Sequence, residues 1–195
     1  MPTPQIRVYD AFVRTTRLRG DLVAMHDELL LSLRDGARVW RIAGTGRATA
    51  PAAVRALARR VLACVGGGPY EAVEYWTNSA PAGTRLPLHT DKDEELFRRS
   101  GRVVSPALSA VYYADACRFT GGALEVASVL VAPRTDRLVV FAGDLPHAVR
   151  RVTKGTRRSL VLNLWRHAPA TRNRRFSSAP DDHRSERKAS GRRTS

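Results

Sequence analysis

Two histidines and one aspartate in this sequence are spaced as ligands of a single metal ion. His89 and Asp91 are separated by one residue, and His147 follows far downstream. Side chains two positions apart on a strand point to the same face, so an extended stretch would direct His89 and Asp91 to one ion. A neighbouring strand would bring His147 to a third ligand position. Two imidazoles and one carboxylate with open coordination positions are the ligand set of non-haem Fe(II) sites.

Each of these three residues also has an ordinary structural explanation. His89 would serve as a hydrogen-bonded polar residue. Asp91 precedes Lys92-Asp-Glu-Glu95 and could cap a turn or a helix there, and His147 follows Pro146 and could be a turn residue. The order of the three residues, and the strand-like segments around them, favour the metal site over these alternatives.

The segments that would position these side chains have the pattern of a β-rich fold. Short runs of β-forming residues follow residue 71 and are separated by Gly, Pro, Asn and Asp; they cover 72–77, 107–114, 123–131, 136–142, 147–152 and 158–165. Evenly spaced short strands with turn residues between them predict a sandwich, a jelly roll or a barrel. His147 would open one of these strands, and Arg157 would begin the next.

The first third of the chain alternates strand-like and helix-like pieces. Residues 6–12 and 39–42 are predicted to be short strands. Asp21 is predicted to cap a helix that ends at Gly36 and has an apolar face of Leu22, Met25, Leu29, Leu30 and Leu33. Pro51 is predicted to begin a second helix that runs to about Val65. These two helices would pack on one face of the β-rich part.

Four elements between residues 89 and 159 follow one another in a characteristic order. They are His89-Thr-Asp91, Val111-Tyr-Tyr-Ala-Asp115, Gly121-Gly-Ala-Leu-Glu-Val126 and the long element His147-Ala-Val-Arg-Arg-Val-Thr-Lys-Gly-Thr-Arg157-Arg-Ser159. An apolar strand that ends at Trp165 completes the series. In this order residues 72–166 resemble the Fe(II)/2-oxoglutarate-dependent dioxygenases, particularly their prolyl-4-hydroxylase-like branch. The N-terminal 70 residues resemble no family that we can name.

The resemblance implies both a fold and a reaction. The fold is mainly β (α+β): a double-stranded β-helix, or jelly-roll, core at 71–167 with the N-terminal helices packed on one face. Fe(II) would be held by His89, Asp91 and His147. 2-Oxoglutarate and O₂ would be consumed, succinate and CO₂ would form as a substrate carbon is hydroxylated, and ascorbate would stimulate the reaction. Because related halogenases lack the carboxylate ligand, Asp91 favours hydroxylation over chlorination.

The resemblance also assigns the residues that would bind 2-oxoglutarate. Arg157 would pair with the distal carboxylate, since a planar guanidinium can give it two parallel hydrogen bonds. Ser159 and Tyr113 would be further donors. A one-residue slip in either strand would turn Arg158 or Tyr112 inward instead, so these two remain alternatives at this point. Tyr75, on the strand before His89, is interpreted as a core residue.

Composition excludes several classes of protein. Of the 195 residues 43% are apolar and 26% are charged, which is typical of a globular protein and not of a collagen, a coiled coil or a wholly disordered chain. No apolar run is long enough to cross a membrane, no secretory signal is visible, and Cys64 and Cys117 form no motif, so we expect a cytoplasmic protein. We expect one domain at 1–170, with 1–70 supporting the core, and a disordered basic tail at 171–195.

The charge and the loops bear on the partner. The net charge is +15, and arginine supplies 30 of the 33 basic residues. Basic proteins can bind nucleic acid, but no basic stripe interleaved with aromatic residues occurs in the body, so we do not favour such a partner. We expect a small molecule, an amino acid or a prolyl peptide as substrate. The alternatives are a nucleic-acid demethylase of the same superfamily and a non-catalytic metal-binding jelly roll. The segment 92–105 is either a lid over the metal or a solvated loop.

Overall fold

The chain forms two antiparallel sheets and three helices within residues 6–32, 38–42, 50–66 and 68–170, which are the residues that the computed structural model describes. In chain order the elements are β1 (Arg7–Tyr9), α1 (Thr16–Ser32), β2 (Arg38–Arg41), α2 (Ala52–Cys64), β3 (Ala72–Pro81), β4 (Leu86–His89), α3 (Glu94–Ser100), β5 (Leu108–Tyr113), β6 (Phe119–Gly121), β7 (Leu124–Val126), β8 (Val129–Val131), β9 (Arg137–Ala142), β10 (His147–Val149) and β11 (Val152–Trp165).

The two sheets differ in size and in what covers them. The larger sheet has the strand order β1-β9-β5-β11-β3-β2, with β6 paired to β11 off this path, and the smaller sheet has the order β4-β10-β7-β8. One cluster of buried side chains fills the space between the sheets, and a second cluster lies between the larger sheet and helices α1 and α2. The expected β-sandwich of the jelly-roll type, with N-terminal helices on one face, is confirmed.

Strict alternation in β5 and β11 directs neighbouring side chains into different cores. Tyr112 belongs to the cluster beneath the helices, and Tyr113 belongs to the cluster between the sheets. On β11, Leu160 and Leu162 face the helices, whereas Val161 faces the smaller sheet. Because the side-chain period of a strand is two, the register that buries these leucines also sets the direction of every polar residue on the same strand.

One of the two predicted helices begins earlier than the sequence-based expectation. Helix α2 follows Pro51 as predicted, but α1 begins at Thr16, so the prediction that Asp21 caps it is wrong. The backbone N–H of Arg19 donates to the Thr15 carbonyl, which closes a helical turn well before Asp21. Of the predicted apolar face of α1, Leu22 and Met25 are buried. Leu29, Leu30, Leu33 and Gly36 lie outside the side chains that the structure describes.

The strands also depart from the predicted bounds. The strand predicted at 6–12 stops at Tyr9, and Ala11 has a positive φ of 51°. The run 123–131 is two strands, β7 and β8, because Ala127 and Ser128 both have positive φ and form the tight turn of a hairpin. The strands predicted at 147–152 and 158–165 are instead β10 and the long β11. Strands β4 and β6 and helix α3 were not predicted.

Glycine 155 allows β11 to change its pairing partner. It has a φ of 70°, and a Cβ atom at this position would lie 2.2 Å from the carbonyl oxygen of Arg118. Before this residue β11 pairs with β6, and after it β11 pairs with β3 and β5. The close approach of the Arg118 backbone therefore requires glycine here.

No helix in the described part of the chain is long and apolar enough to cross a membrane.

A buried carboxylate attaches the N-terminal segment to the larger sheet. Asp136, which is 4% exposed, accepts hydrogen bonds at Oδ1 from the Val13 backbone N–H (2.9 Å) and the Tyr112 hydroxyl (2.8 Å), and at Oδ2 from the Arg14 N–H (3.0 Å). Arg19 lies 3.8 Å from the same carboxylate. These bonds hold the start of α1 against the turn between β8 and β9.

We expect Asp136→Ala to lower the free energy of unfolding by about 3 kcal/mol or more, because three donors lose their acceptor in a buried place. Urea denaturation measures the change. Asp21→Ala is the matched control: this exposed aspartate lies inside α1, and its removal should alter stability by no more than about 0.5 kcal/mol. Equal losses in the two variants would contradict the role of Asp136.

Candidate active site

The structure brings His89, Asp91 and His147 together at one end of the space between the sheets. One ligand atom from each lies within 4.8 Å of the others. His89 ends β4 and His147 begins β10, and the two residues are directly paired across these antiparallel strands, with ring centroids 4.3 Å apart. Asp91 lies just beyond the end of β4, and its Oδ1 is 3.7 Å from Nε2 of His147.

Both imidazoles are held by the same type of backbone contact. Nδ1 of His89 lies 2.8 Å from the Pro87 carbonyl oxygen, and Nδ1 of His147 lies 3.0 Å from that of Leu145. A carbonyl oxygen only accepts, so each Nδ1 carries the proton and donates it. With the proton on Nδ1, the remaining lone pair of an imidazole ring is on Nε2, where a metal ion would bind.

Burial keeps His147 in the neutral form that a metal ligand requires. Desolvation lowers its pKa below the ordinary value for histidine, and this effect outweighs the Leu145 carbonyl and the Asp91 carboxylate, which both act to raise it. The ring of Phe141 packs against His147 with a centroid distance of 5.1 Å and contributes to this burial.

Sequence reasoning missed Ser109, which orients the carboxylate of Asp91. Ser109 is completely buried on β5, and its hydroxyl donates to Asp91 Oδ2 at 3.0 Å. This contact occupies one carboxylate oxygen and leaves Oδ1 on the side of His147. The available signal was weak: Ser109 is a polar residue in an apolar strand, and its spacing from Tyr113 puts both on the same face.

The residue that caps the following helix is Asp93 and not Asp91. Asp93 accepts a hydrogen bond from the Leu96 N–H at the start of α3 (2.9 Å) and another from the Ala170 N–H (2.6 Å). Its own N–H donates to the Val104 carbonyl. The segment 92–105, predicted to be a loop, contains helix α3. The hydrogen bond from the Asp93 N–H to Val104 joins the start of this segment to its end.

A second group of polar residues surrounds the guanidinium of Arg157. This side chain is 1% exposed and donates to the Gly122 carbonyl (3.0 Å), the Ser159 hydroxyl (3.0 Å) and the Tyr113 hydroxyl (2.7 Å). Among the described residues no carboxylate forms an ion pair with it. A buried cation whose neighbours are all neutral is costly, and an anionic ligand would compensate its charge.

A cavity of about 60 Å³ connects the two groups of residues. His89, Asp91 and His147 line it together with Arg157 and Ser159, and further walls come from Trp76, Asn78, Leu86, Val111, Leu124, Phe141, Val149 and Val161. The remaining walls are thus mostly apolar. A small molecule in this cavity would have metal-ligating groups on one side and a guanidinium on another.

Arg158 and Tyr112, the alternatives to Arg157 and Tyr113, both lie outside the cavity of the metal ligands. Arg158 lines a different cavity, on the α1 side of β11, and Tyr112 donates its hydroxyl to Asp136 beneath the helices. Tyr113 and Arg157 are the residues that face the space between the sheets. Tyr75 is fully buried in the cluster beneath the helices and does not line the cavity that contains His89, Asp91 and His147.

Glycine at position 122 leaves room for Arg157. Gly122 has a φ of 66°, and a Cβ atom there would lie 2.7 Å from Arg157 Cδ. We expect Gly122→Ala to displace the Arg157 side chain and to destabilise the fold by about 1–3 kcal/mol through steric overlap. Gly83→Ala is the matched control, because Gly83 also has a positive φ (90°) but a Cβ atom would meet nothing within 4 Å.

Urea denaturation of the two variants separates backbone strain from overlap. The Gly122→Ala variant should be the less stable of the two. If both variants lose the same stability, the contact between Gly122 and Arg157 is not a constraint.

Comparison with known proteins agrees with this geometry. Residues 73–167 match the family model described as the 2OG-Fe(II) oxygenase superfamily. This matched range includes all three metal-site residues as well as Tyr113, Arg157 and Ser159. No curated protein matches the chain.

Solved structures share the fold over most of the chain. A prolyl-4-hydroxylase of Pseudomonas putida is 22% identical, with a TM-score of 0.59 over 89% of this chain and 90% of that one. A prolyl hydroxylase of Trichoplax adhaerens, in complex with a hypoxia inducible factor peptide fragment, is 16% identical, with a TM-score of 0.53 over 84% of each chain. NgTET1 in complex with 5mC DNA is 13% identical, with a TM-score of 0.54 over 82% of this chain and 71% of that one. At these identities the likeness establishes the fold.

The family match and the fold confirm the resemblance that the sequence motifs indicated. Membership of this family implies Fe(II) and 2-oxoglutarate as cofactor and co-substrate, and the residues at the two ends of the cavity fit these groups chemically. Through residues 73–167 the chain belongs to the 2OG-Fe(II) oxygenase superfamily, with the fold of the prolyl-4-hydroxylase-like enzymes.

Proposed function

We propose that the protein hydroxylates an unactivated C–H bond of an amino-acid unit, with 2-oxoglutarate as co-substrate and Fe(II) held by His89, Asp91 and His147. The observation that carries the proposal is the cavity that joins these three ligands to the buried guanidinium of Arg157, which has no carboxylate partner among the described residues. When bound, Fe(II) and 2-oxoglutarate supply the activation of O₂, with succinate and CO₂ as products.

The metal end of the cavity fits Fe(II) by its donor set. Two imidazoles that can each offer Nε2, together with one carboxylate oxygen, would hold Fe(II) and would leave positions for 2-oxoglutarate and O₂. The carboxylate ligand occupies the place that chloride takes in related halogenases. This supports oxygen addition to the substrate, and a product formed in high chloride should contain no chlorine when analysed by mass spectrometry.

The other end of the cavity fits the distal carboxylate of 2-oxoglutarate. Arg157 would give this carboxylate charge-assisted hydrogen bonds, and the hydroxyls of Tyr113 and Ser159 already lie within hydrogen-bond distance of the guanidinium. All three side chains are almost fully buried, so water would not compete for the carboxylate. Held here, the co-substrate would direct its 2-oxo acid group towards the metal ligands.

The solved structures with a similar fold favour an amino-acid unit as the substrate. Two of the compared structures are prolyl hydroxylases, one of them bound to a peptide, so a prolyl residue is the first substrate to test. A free amino acid or another small molecule comes next. The likeness to a 5mC DNA complex keeps nucleic acid as the alternative, together with a metal-binding protein that has no catalytic activity.

The substrate experiment uses the full chain with Fe(II), 2-oxoglutarate and ascorbate, and a panel of prolyl peptides, free amino acids and methylated oligonucleotides. We expect succinate formation coupled to a gain of 16 Da, the mass of one oxygen atom, in a peptide or amino acid. Ascorbate stimulation is a separate prediction of the same assay. Coupled demethylation of the oligonucleotide, with affinity that falls steeply as salt rises, would favour the nucleic-acid alternative. Metal binding without any succinate would favour the non-catalytic one.

Arg157 should control the affinity for 2-oxoglutarate. We expect Arg157→Ala to raise the KM for 2-oxoglutarate by more than thirtyfold, since loss of one partner of a buried charged pair costs about 2–5 kcal/mol. Arg157→Lys should restore little of the loss, because an ammonium cannot form the two parallel bonds of a guanidinium. Arg158→Ala is the control and should leave this KM unchanged. The opposite pattern would show that Arg158 binds the co-substrate.

Ser109 should control metal affinity and not co-substrate affinity. Without its hydroxyl, the Asp91 carboxylate loses the contact that orients Oδ1, and loss of such an outer hydrogen bond weakens metal binding by about 10–100-fold. We therefore expect Ser109→Ala to raise the Kd for Mn(II), measured by calorimetry, while the KM for 2-oxoglutarate at saturating metal changes little. Equal Mn(II) affinity in the variant and the parent protein would contradict this role.

A further inference from the structure

A second cavity lies on the opposite face of β11 from the site described above. It has a volume of about 270 Å³ and is lined by α1, β3, β11 and the segment 114–119 that leads into β6. The side chains of β11 alternate, so Arg157 faces the first cavity and Arg158 lines the second. We propose that this second cavity binds a small carboxylic acid with an apolar body, distinct from 2-oxoglutarate.

The walls of the second cavity suit an apolar body. Leu22 and Met25 come from α1, Leu160 from β11 and Phe119 from the start of β6, and all four are largely buried in the fold. Ligand cavities of proteins are typically about 300–1,000 Å³ and are lined mainly by apolar side chains with a few polar groups. The second cavity is just below this size range, its walls combine apolar and polar side chains, and it is larger than the cavity that contains the metal ligands.

The polar groups of the second cavity favour an anion. Arg118 and Arg158 contribute two guanidiniums and Asp115 contributes one carboxylate, so these three residues carry a net positive charge. The Asp115 carboxylate already accepts hydrogen bonds from the Cys117 N–H (3.0 Å) and Sγ–H (2.8 Å), which lower its pKa and keep it ionised. Arg118 is 3.6 Å from Asp115, but its side chain is 85% exposed, so this pair is weak.

A buried hydroxyl in the wall of the second cavity is a further indication of a ligand. Thr77, on β3, lines the cavity, and its Oγ1 atom is buried without a hydrogen-bond partner among the described residues. Buried polar atoms are nearly always paired, so an unpaired hydroxyl in the wall of a cavity calls for a donor or acceptor that the protein itself does not provide. A carboxylate oxygen would accept a hydrogen bond from this hydroxyl while it pairs with a guanidinium.

The experiment compares 4-phenylbutanoate with its neutral amide, 4-phenylbutanamide, by calorimetry on the full chain with Mn(II) and saturating 2-oxoglutarate. We expect the acid to bind at least tenfold more tightly than the amide. Arg158→Gln should weaken binding of the acid at least tenfold. Arg102→Gln removes the same charge from an exposed residue that does not line the cavity, and it should have no effect.

Two further variants locate the binding site and keep the test independent of the proposed reaction. Thr77→Val preserves the shape of the side chain. This variant should bind 4-phenylbutanoate more weakly, without a change in the KM for 2-oxoglutarate. Arg157→Gln should leave the affinity for the acid unchanged, since Arg157 faces the first cavity. The proposal is overturned if acid and amide bind equally, if neither binds, or if Arg157→Gln and not Arg158→Gln abolishes binding.

Discussion

The buried guanidinium of Arg157 is the constraint on which the site depends. A positive charge between two sheets is stable only where hydrogen-bond acceptors surround it, and here the Gly122 carbonyl and the hydroxyls of Ser159 and Tyr113 do so. Each of these partners requires something of the backbone. Gly122 must lack a Cβ atom, Tyr113 must face inward from β5, and Ser159 must share a face of β11 with Arg157.

The register of β11 satisfies these requirements because of the apolar residues on its other face. Leu160, Leu162 and Leu164 are buried beneath α1 and α2, which directs Arg157 and Ser159 to the space between the sheets. The N-terminal helices therefore contribute to the site without touching it. A one-residue slip would expose the leucines to the metal cavity and bury Arg158, so apolar burial selects the register that the chemistry needs.

The metal ligands are positioned by strand pairing and hydrogen bonds and not by the apolar burial that positions Arg157. His89 and His147 are paired across β4 and β10, and each ring is oriented by a backbone carbonyl two residues before it. Asp91 lies beyond the strand, where it is oriented by Ser109, while Asp93 joins the ends of the segment that follows. Rigid strands thus hold two ligands, and hydrogen bonds to side chains hold the third.

The sequence alone determined the β-rich fold, the helices on one face and the family, because apolar periodicity, turn residues and the ordered motif from His147 to Ser159 are local features. It also named the residues that the structure gathers at the two ends of the cavity. It left open whether Arg157 or Arg158, and Tyr113 or Tyr112, faces the cavity, and it did not indicate Ser109 or the second cavity. Only the tertiary structure decided these points, since the direction of a side chain depends on strand register, and strand register depends on burial against elements distant in the sequence.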